Sequence, residues 1–324
     1  MLGRRWLVSL ALAAAALMAV TDAQAQRTVT IIVPTPAGGP IDRAARLVAQ
    51  HLQAKLGQPV IVDNRVGAAG KIGVQAALRA ARDGGTLLAV SPSITSVNPV
   101  IDKAAGYDPL KDFDPLAIVA TNSGVLAVRA ELPVADLAAL VAYGRANPGK
   151  LSYASFGVGT SLHLQSEEFF GAIGVSALHV PYKGESQAVT ALAAGEVDVM
   201  VYVTSPIVAF VRSGRVRALA ATAARRWDML PAVPTYAESG VPALRDYTYH
   251  SWTGLVLPAG VPPGPRGILV EALRQVLSDP ALRDALVAQG FEPAVPDAET
   301  MRSTIAAELK RNQQVLATGR VRLD

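Results

Sequence analysis

Short β-branched apolar runs alternate with longer amphipathic stretches along most of the chain. Residues 29–33 read as a buried strand. Residues 41–56 place Ile41, Ala45, Leu47, Val48, Leu52 and Leu56 near one helical face. The pattern continues with a strand over 60–63, a helix over 71–80 and a strand over 86–90. A β-α-β-α-β order predicts a parallel sheet with helices on both faces. A second series follows: helix 135–146, strand 151–154, helix 162–171, strand 177–180, helix 186–194, strand 197–201, helix 206–211 and strand 216–222. Ser205-Pro206 gives one of these helices its start, a capping hydroxyl followed by proline in the first turn.

From residue 251 the pattern changes to one strand (252–257) and three helices (265–277, 280–289, 297–316). With no strands between them, these helices are expected to pack against the first sheet. The chain would then cross between two lobes near 119–125 and again near 249–254. Two crossings make a hinge, and a hinge makes a cleft that can close. The expected fold class is α/β with two lobes, each a mostly parallel sheet flanked by helices. Residues 26–122 and 253–324 would form lobe 1, and residues 123–252 lobe 2.

The first 25 residues stand outside this fold. A basic start (Arg4, Arg5), an apolar core from Trp6 to Val20 and the small-x-small site Ala23-Gln24-Ala25 predict a cleaved export signal. The core falls short of the ~20 residues that span a bilayer. No cysteine follows the cleavage site to carry a lipid, and no later stretch reaches spanning length without Gly, Pro or charge. A soluble protein of a bacterial periplasm is expected. With 0 cysteines it must be stabilised by core burial alone. The same absence excludes thiol nucleophiles, thiolate zinc sites and iron–sulfur clusters. The formal charge of +4 falls to about +3 once Arg4, Arg5 and Asp22 are removed, and no Lys/Arg cluster is interleaved with aromatics. Nucleic acid is not an expected partner.

Two strand-to-helix turns carry the candidate chemistry. The first strand breaks into Pro36-Ala37-Gly38-Gly39-Pro40 before a helix opens, and the strand over 151–154 runs through Ser155, Gly157 and Gly159 to Thr160-Ser161. A helix amino end offers free N–H groups and roughly half a positive charge, which suits an anion. Glycine there lets a carboxylate oxygen come within about 2.9 Å of a backbone nitrogen. Thr160 and Ser161 would add hydroxyl donors. Ser91 and Ser93 follow the third strand, at the sheet end where ligands collect. His163 and Tyr182 are further candidates for the second-lobe wall. Asp42 suits its helix dipole as a structural residue. The enzyme signatures fail: there is no Gly-x-Ser-x-Gly, Gly157-x-Gly159 is followed by Leu162, and Gly70-Lys71 is followed by Ile72. The 4 histidines lack metal-ligand spacing. Neither metal nor cofactor is expected, and the protein reads as a binder and not an enzyme.

Six segments in register resemble one family. They are Val33-Pro34-Thr35-Pro36-Ala37-Gly38-Gly39-Pro40-Ile41-Asp42, Asn64-Arg65-Val66-Gly67-Ala68-Ala69-Gly70, Tyr153-Ala154-Ser155-Phe156-Gly157-Val158-Gly159-Thr160-Ser161-Leu162-His163-Leu164, His179-Val180-Pro181-Tyr182-Lys183-Gly184, Gly195-Glu196-Val197-Asp198 and Leu255-Val256-Leu257-Pro258-Ala259-Gly260. They resemble the substrate-binding proteins of tripartite tricarboxylate transporters, the Bug proteins, over essentially the whole mature chain. The resemblance implies a two-lobed periplasmic binding protein of type II that holds a small carboxylate and hands it to a membrane permease. It implies that loops 36–40 and 155–161 grip the ligand through backbone amides. A monomer is expected.

The chain departs from the family pattern at Thr35, where an aromatic is usual, at Val158, where Asn is common, and at Tyr202, where many relatives are acidic. An acid at 202 would suit an amino group. Its loss predicts a carboxylate without one, with an apolar body stacked on Tyr202. The competing reading is an exported sensor that presents the bound carboxylate to a membrane receptor or sensor kinase.

Overall fold

The computed structural model describes residues 28–102, 104–249, 251–294 and 297–321. The expected signal peptide, residues 1–25, lies outside the described residues. The first sheet takes β1 (Val29–Val33), β2 (Val60–Asn64), β3 (Thr86–Val90) and β4 (Phe113–Asn122). The second takes β5 (Val125–Arg129), β6 (Leu151–Ser155), β7 (Ala177–Pro181), β8 (Val199–Val203) and β9 (Val216–Ala221). The chain then returns to the first sheet with β10 (Ser251–Pro258) and β11 (Glu292–Pro293). The strand orders are β11-β4-β10-β3-β1-β2 and β7-β6-β8-β5-β9.

Each sheet has a parallel part and an antiparallel part. In the first, β1 pairs in parallel with β2 and β3, while β10 runs antiparallel to β3 and β4. In the second, β6 is parallel to β7 and β8, and β5 is antiparallel to β8 and β9. The parallel parts match the β-α-β periodicity. The antiparallel additions come from the strands next to the two crossings, β4, β5, β9 and β10. Two of these, β4 and β5, are missing from the sequence-based element list. Their apolar runs are broken by Pro115, Asn122 and Gly124, and they pair only with strands remote in sequence. The two-residue β11 corrects the expectation that no strand separates the last helices, since two residues are too few to show a period.

The helices are α1 (Pro40–Leu56), α2 (Lys71–Leu78), α3 (Asn98–Ile101), α4 (Leu137–Ala146), α5 (Ser161–Ala172), α6 (Glu185–Ala194), α7 (Val208–Arg212), α8 (Pro263–Leu277), α9 (Pro280–Ala288) and α10 (Ala298–Ala317). Strand alternation sorts the core. Ile31 and Val33 face α1, α8 and α9, while Ile32, Leu88 and Val90 face α2 and α10 through Val74, Met301 and Ile305. In the second sheet Leu126, Val128, Tyr153 and Val201 face α4 and α5, and Ala127, Ala154, Met200 and Val203 face α6 and α7. Among the described residues no helix is long and apolar enough to cross a membrane.

The last helix corrects one more expectation. It starts on the first sheet through Met301 and Ile305, but its far end packs Val315 and Val321 against Leu164 of α5, beside the second sheet. Arg320 Nη2 donates to the Val175 carbonyl at 2.8 Å, and Arg311 Nε lies 3.6 Å from Glu168 Oε1. The last helix, with the residues just after it, therefore joins both sheets.

The chain leaves the first sheet after Asn122 and enters the second at Val125. Gly124 lies against the Tyr202 ring so closely that a Cβ there would stand 2.6 Å from Tyr202 Cε2 and 2.7 Å from the Val203 carbonyl oxygen. The return passage runs beside the first: Thr222 N–H donates to the Gly124 carbonyl (3.0 Å) and Tyr249 N–H to the Thr222 carbonyl (2.7 Å). The two crossings are thus hydrogen-bonded to one another.

Candidate ligand-binding cleft

A cleft of about 380 Å³ opens between the carboxyl ends of the two sheets' parallel strands. From the first sheet it is lined by Thr35, Pro36, Gly39, Pro40 and Ile41, by Ser91 and Ser93 beyond β3, and by Asn122 and residues 251–253. From the second it is lined by Phe156, Ser161 and Leu162 at the start of α5, by Tyr202 and Thr204 at the end of β8, and by Glu185 at the start of α6, with Tyr249 on the return passage. Ser93 Oγ and Ser161 Oγ meet across it at 3.2 Å.

Both helices α1 and α5 point their amino ends into this space. First-turn N–H groups have no carbonyl within their own helix to donate to. Among the described residues, the N–H groups of Ile41, Asp42, Ser161 and Leu162 donate to no protein acceptor, while Arg43 N–H reaches Gly39 O and Leu164 N–H reaches Thr160 O. Pro40 has no N–H, and its fixed φ suits the first helical position. Thr160 caps α5 by accepting the His163 N–H on its hydroxyl at 3.4 Å.

The glycines play another part than the sequence suggested. Gly38 N–H donates to Asp42 Oδ2 at 2.8 Å, and Gly159 N–H donates to His163 Nδ1 at 3.1 Å. Gly157 N–H goes to Ser155 Oγ at 3.1 Å, and Gly39 N–H closes a long turn to the Pro36 carbonyl at 3.4 Å. Positive φ at Gly38 (81°) and Gly159 (71°) turns each peptide back on its own helix. In both loops the residue before the cap donates to a side chain in the first turn, a relative of the capping box. The outward donors are therefore two to five residues farther on than Gly38, Gly39, Gly157 and Gly159.

Of the residues singled out on the sequence, Pro36, Gly39, Pro40, Ser91, Ser93, Ser161 and Tyr202 line the cleft. Ala37, Gly38, Ser155, Gly157, Gly159, Thr160, His163 and Tyr182 do not. Ser155 is fully buried beneath its loop with its hydroxyl 2.6 Å from His179 Nε2. Tyr182 N–H donates to the Ser155 carbonyl and so prolongs the β6–β7 pairing. Tyr202 forms part of the wall but is 4 % exposed, and its hydroxyl donates to the Asn122 carbonyl at 2.7 Å. It braces the crossing more than it offers a stacking surface. Glu185, Thr204, Asn122 and Tyr249 were not anticipated. Glu185 and Thr204 follow β7 and β8, so the strand-end argument used for Ser91 and Ser93 would have found them.

Asp42 organises the first loop. Its carboxylate, 2 % exposed, accepts from Gly38 N–H, from Arg46 Nε at 2.9 Å and from Asn64 Nδ2 at 2.9 Å. Asn64 Nδ2 also donates to the Thr35 carbonyl at 3.1 Å. Burial pushes the carboxyl up, and the Arg46, Gly38 and Asn64 hydrogen bonds outweigh it and hold it below 3.8. Thr35 Oγ1, buried at the wall, has no hydrogen-bond partner among the described residues.

His163 organises the second loop. Its ring stacks on His179 with centroids 3.8 Å apart, and His179 stacks on Tyr153 at 5.0 Å. Burial lowers both imidazoles from 6.5, His179 to about 4 with His163 adding repulsion. Glu167 opposes the shift at His163. The unfolded chain then binds more protons than the folded one between about 4 and 6.5. Their contribution to stability is complete above 6.5 and declines as pH falls toward 4. The buried Glu168 and Glu308 carboxyls, raised above 4.5, act in the opposite sense. An NMR titration separates the two effects. The His179 ring signal is expected to stay at its neutral-form shift from pH 7 to about 5 and the His163 signal to titrate below 6.5, and midpoints near the ordinary 6.5 would contradict the burial argument.

Known proteins place this geometry. The model of the tripartite tricarboxylate transporter family receptor matches residues 44–319. A "UPF0065 protein in tcbD-tcbE intergenic region" of Pseudomonas sp. strain P51 is 36% identical over 305 residues, 93% of this chain and 88% of its own. "Protein BugT" of Bordetella pertussis is 35% identical over 291 residues, 90% of this chain and 88% of its own. Among solved structures, R. palustris Rpa4515 with adipate superposes with a TM-score of 0.76 at 33% identity, covering 91% of this chain and 98% of that one. MatC from Rhodopseudomonas palustris with bound malate gives 0.73 at 29%, covering 89% and 98%. A third neighbour, the periplasmic binding protein BugD, gives a TM-score of 0.73 at 30% identity, covering 91% and 98%, so the family is one of solute-binding proteins and not of enzymes. The chain belongs to the tripartite tricarboxylate transporter receptor family of periplasmic solute-binding proteins.

Proposed function

We propose that this protein captures a small carboxylate in the cleft and presents it, as a monomer, to the permease subunits of a tripartite tricarboxylate transporter. Residues 26–122 with 253–324 would move as one lobe against 123–252, closing about the paired crossings. The observation that carries this reading is electrostatic. Two helix amino ends open onto one cleft, and among the described residues its lining contains no Lys, Arg or His side chain. An anion held there relies on backbone N–H groups and on the Ser and Thr hydroxyls around them. The adipate and malate of the two structural neighbours support the ligand class.

Magnitudes favour closure as part of binding. Four charge-assisted hydrogen bonds contribute ~6–12 kcal/mol, against an association cost of ~4–15 kcal/mol. Burying the ligand's carbon skeleton between Phe156, Leu162, Tyr202 and Ile41 supplies the surplus. A thermal-shift screen of purified protein against mono-, di- and tricarboxylates tests the reading. A true ligand at 100 times its Kd adds about 2.7 kcal/mol of stability. A flat response to every carboxylate, confirmed by calorimetry, would refute it. The expectation of a ligand without an amino group rested on Tyr202 replacing an acid. Glu185 reopens that question, because it returns one carboxylate to the cleft.

A further inference from the structure

We infer that Glu185 selects the ligand class: a monocarboxylate carrying a hydrogen-bond-donating group, an amine above all, in preference to a dicarboxylate. The inference rests on the carboxylate reading of the cleft and sharpens it. Among the described residues Glu185 is the one Asp or Glu in the lining, and no basic side chain lines the wall with it. Its place is built by the fold. Gly184, at φ 121°, turns the chain from β7 into α6, and Glu185 opens that helix. Its Oε1 accepts both the Thr204 N–H and the Thr204 hydroxyl, each at 2.8 Å, which fixes the carboxylate at the end of β8. No hydrogen bond or ion pair among the described residues uses Oε2.

The other ionisable groups of the wall leave this charge uncompensated. Tyr202 donates its hydroxyl to the Asn122 carbonyl, and burial raises the phenols of both Tyr202 and Tyr249, so both are neutral. A ligand whose first carboxylate sits on the α1 and α5 amino ends must place its remaining polar group in a cleft whose described lining offers one carboxylate and no cation. A second carboxylate there meets like charge in a partly dehydrated space. An ammonium, amide or hydroxyl instead donates to Oε2, the ammonium with charge assistance. A purely structural role, with Glu185 only complementing its helix dipole and clamping Thr204, makes no distinction between ligands.

Calorimetric titration with a matched set separates the two roles. Adipate, ε-aminocaproate and caproate share one carboxylate and one chain length and differ at the far end. Shorter homologous triplets guard against a length mismatch. Wild type is expected to bind the amino acid at least about tenfold more tightly than the dicarboxylate. Glu185→Gln keeps an amide oxygen for Thr204, so the fold is retained. It is expected to weaken ε-aminocaproate about tenfold, strengthen adipate and leave caproate within about twofold. Glu185→Lys should invert the preference outright. Dicarboxylates binding wild type as tightly as amino acids, with ratios unmoved by Glu185→Gln, would overturn the inference and leave the carboxylate reading standing. Failure of every carboxylate at every length would overturn both.

Discussion

Replacing Ser161 by proline is expected to weaken carboxylate binding roughly ten- to a hundredfold, the loss of one charge-assisted N–H donor. The free protein should melt close to the wild-type temperature. Ser161 is the first residue of α5, where proline is favoured and where the N–H has no partner in the helix. Thr160, at φ −76° and ψ 161°, already has the extended backbone that a following proline demands. The substitution therefore deletes a donor at the cleft without disturbing the helix. It also deletes the hydroxyl that meets Ser93, so Ser161→Ala is the control: that variant loses the 3.2 Å contact but keeps the amide. Proline should cost clearly more affinity than alanine. Equal affinities for the two variants would show that the amide end of α5 does not hold the ligand.

Asp42→Ala is expected to give the largest loss of stability, about 2–4 kcal/mol. For a chain of this size that is a fall of roughly 5–10 °C in Tm. Three donors converge on the buried carboxylate, from Gly38, Arg46 and Asn64, and alanine removes the acceptor they share, leaving Asn64 Nδ2 with the Thr35 carbonyl alone. The same carboxylate fixes the loop that carries Thr35, Pro36 and Gly39 to the cleft, so affinity should fall with stability. The pH dependence has a definite sign. The folded carboxyl titrates below 3.8, so its contribution is present above that value and is lost as pH falls through the folded value. Acid unfolding of wild type and Asp42→Ala should therefore converge at low pH. Asp42→Asn keeps the volume but turns an amide NH₂ toward donors, and should fall between the two. A Tm within about 1 °C of wild type for Asp42→Ala would show that the network carries no net stability.

The site was legible in outline and misread in detail. The strand-turn-helix units at 29–56 and 151–172 are readable because their signals are local: β-branched runs, Gly and Pro at the turn, and a capping position before the helix. The same local logic, taken one step further, reads Asp42 and His163 as third residues of their helices that reach back to Gly38 and Gly159. Those two bonds decide which amides face inward and which outward, and the capping-box spacing was the available signal. In the sequence Glu185 is a lone acid at a helix start, which gives no sign of a ligand. Only its neighbourhood, shared with Thr204 and a wall whose described residues include no cation, singles it out.

The sequence by itself determined the α/β class, the two helix starts that open onto the cleft, the absence of thiol chemistry and the family, because each depends on residues close together in the chain or on composition. Only the tertiary structure decided that β4 and β5 carry the outward crossing and that the last helix joins both sheets. It alone decided that Tyr202 braces Gly124 and that an acid from α6 faces the cleft. Such pairings join residues dozens of positions apart, and no periodicity records which strand end will stand opposite which. Burial, which lowers the His163 and His179 imidazoles and opposes the hydrogen bonds at Asp42, exists only once those elements meet.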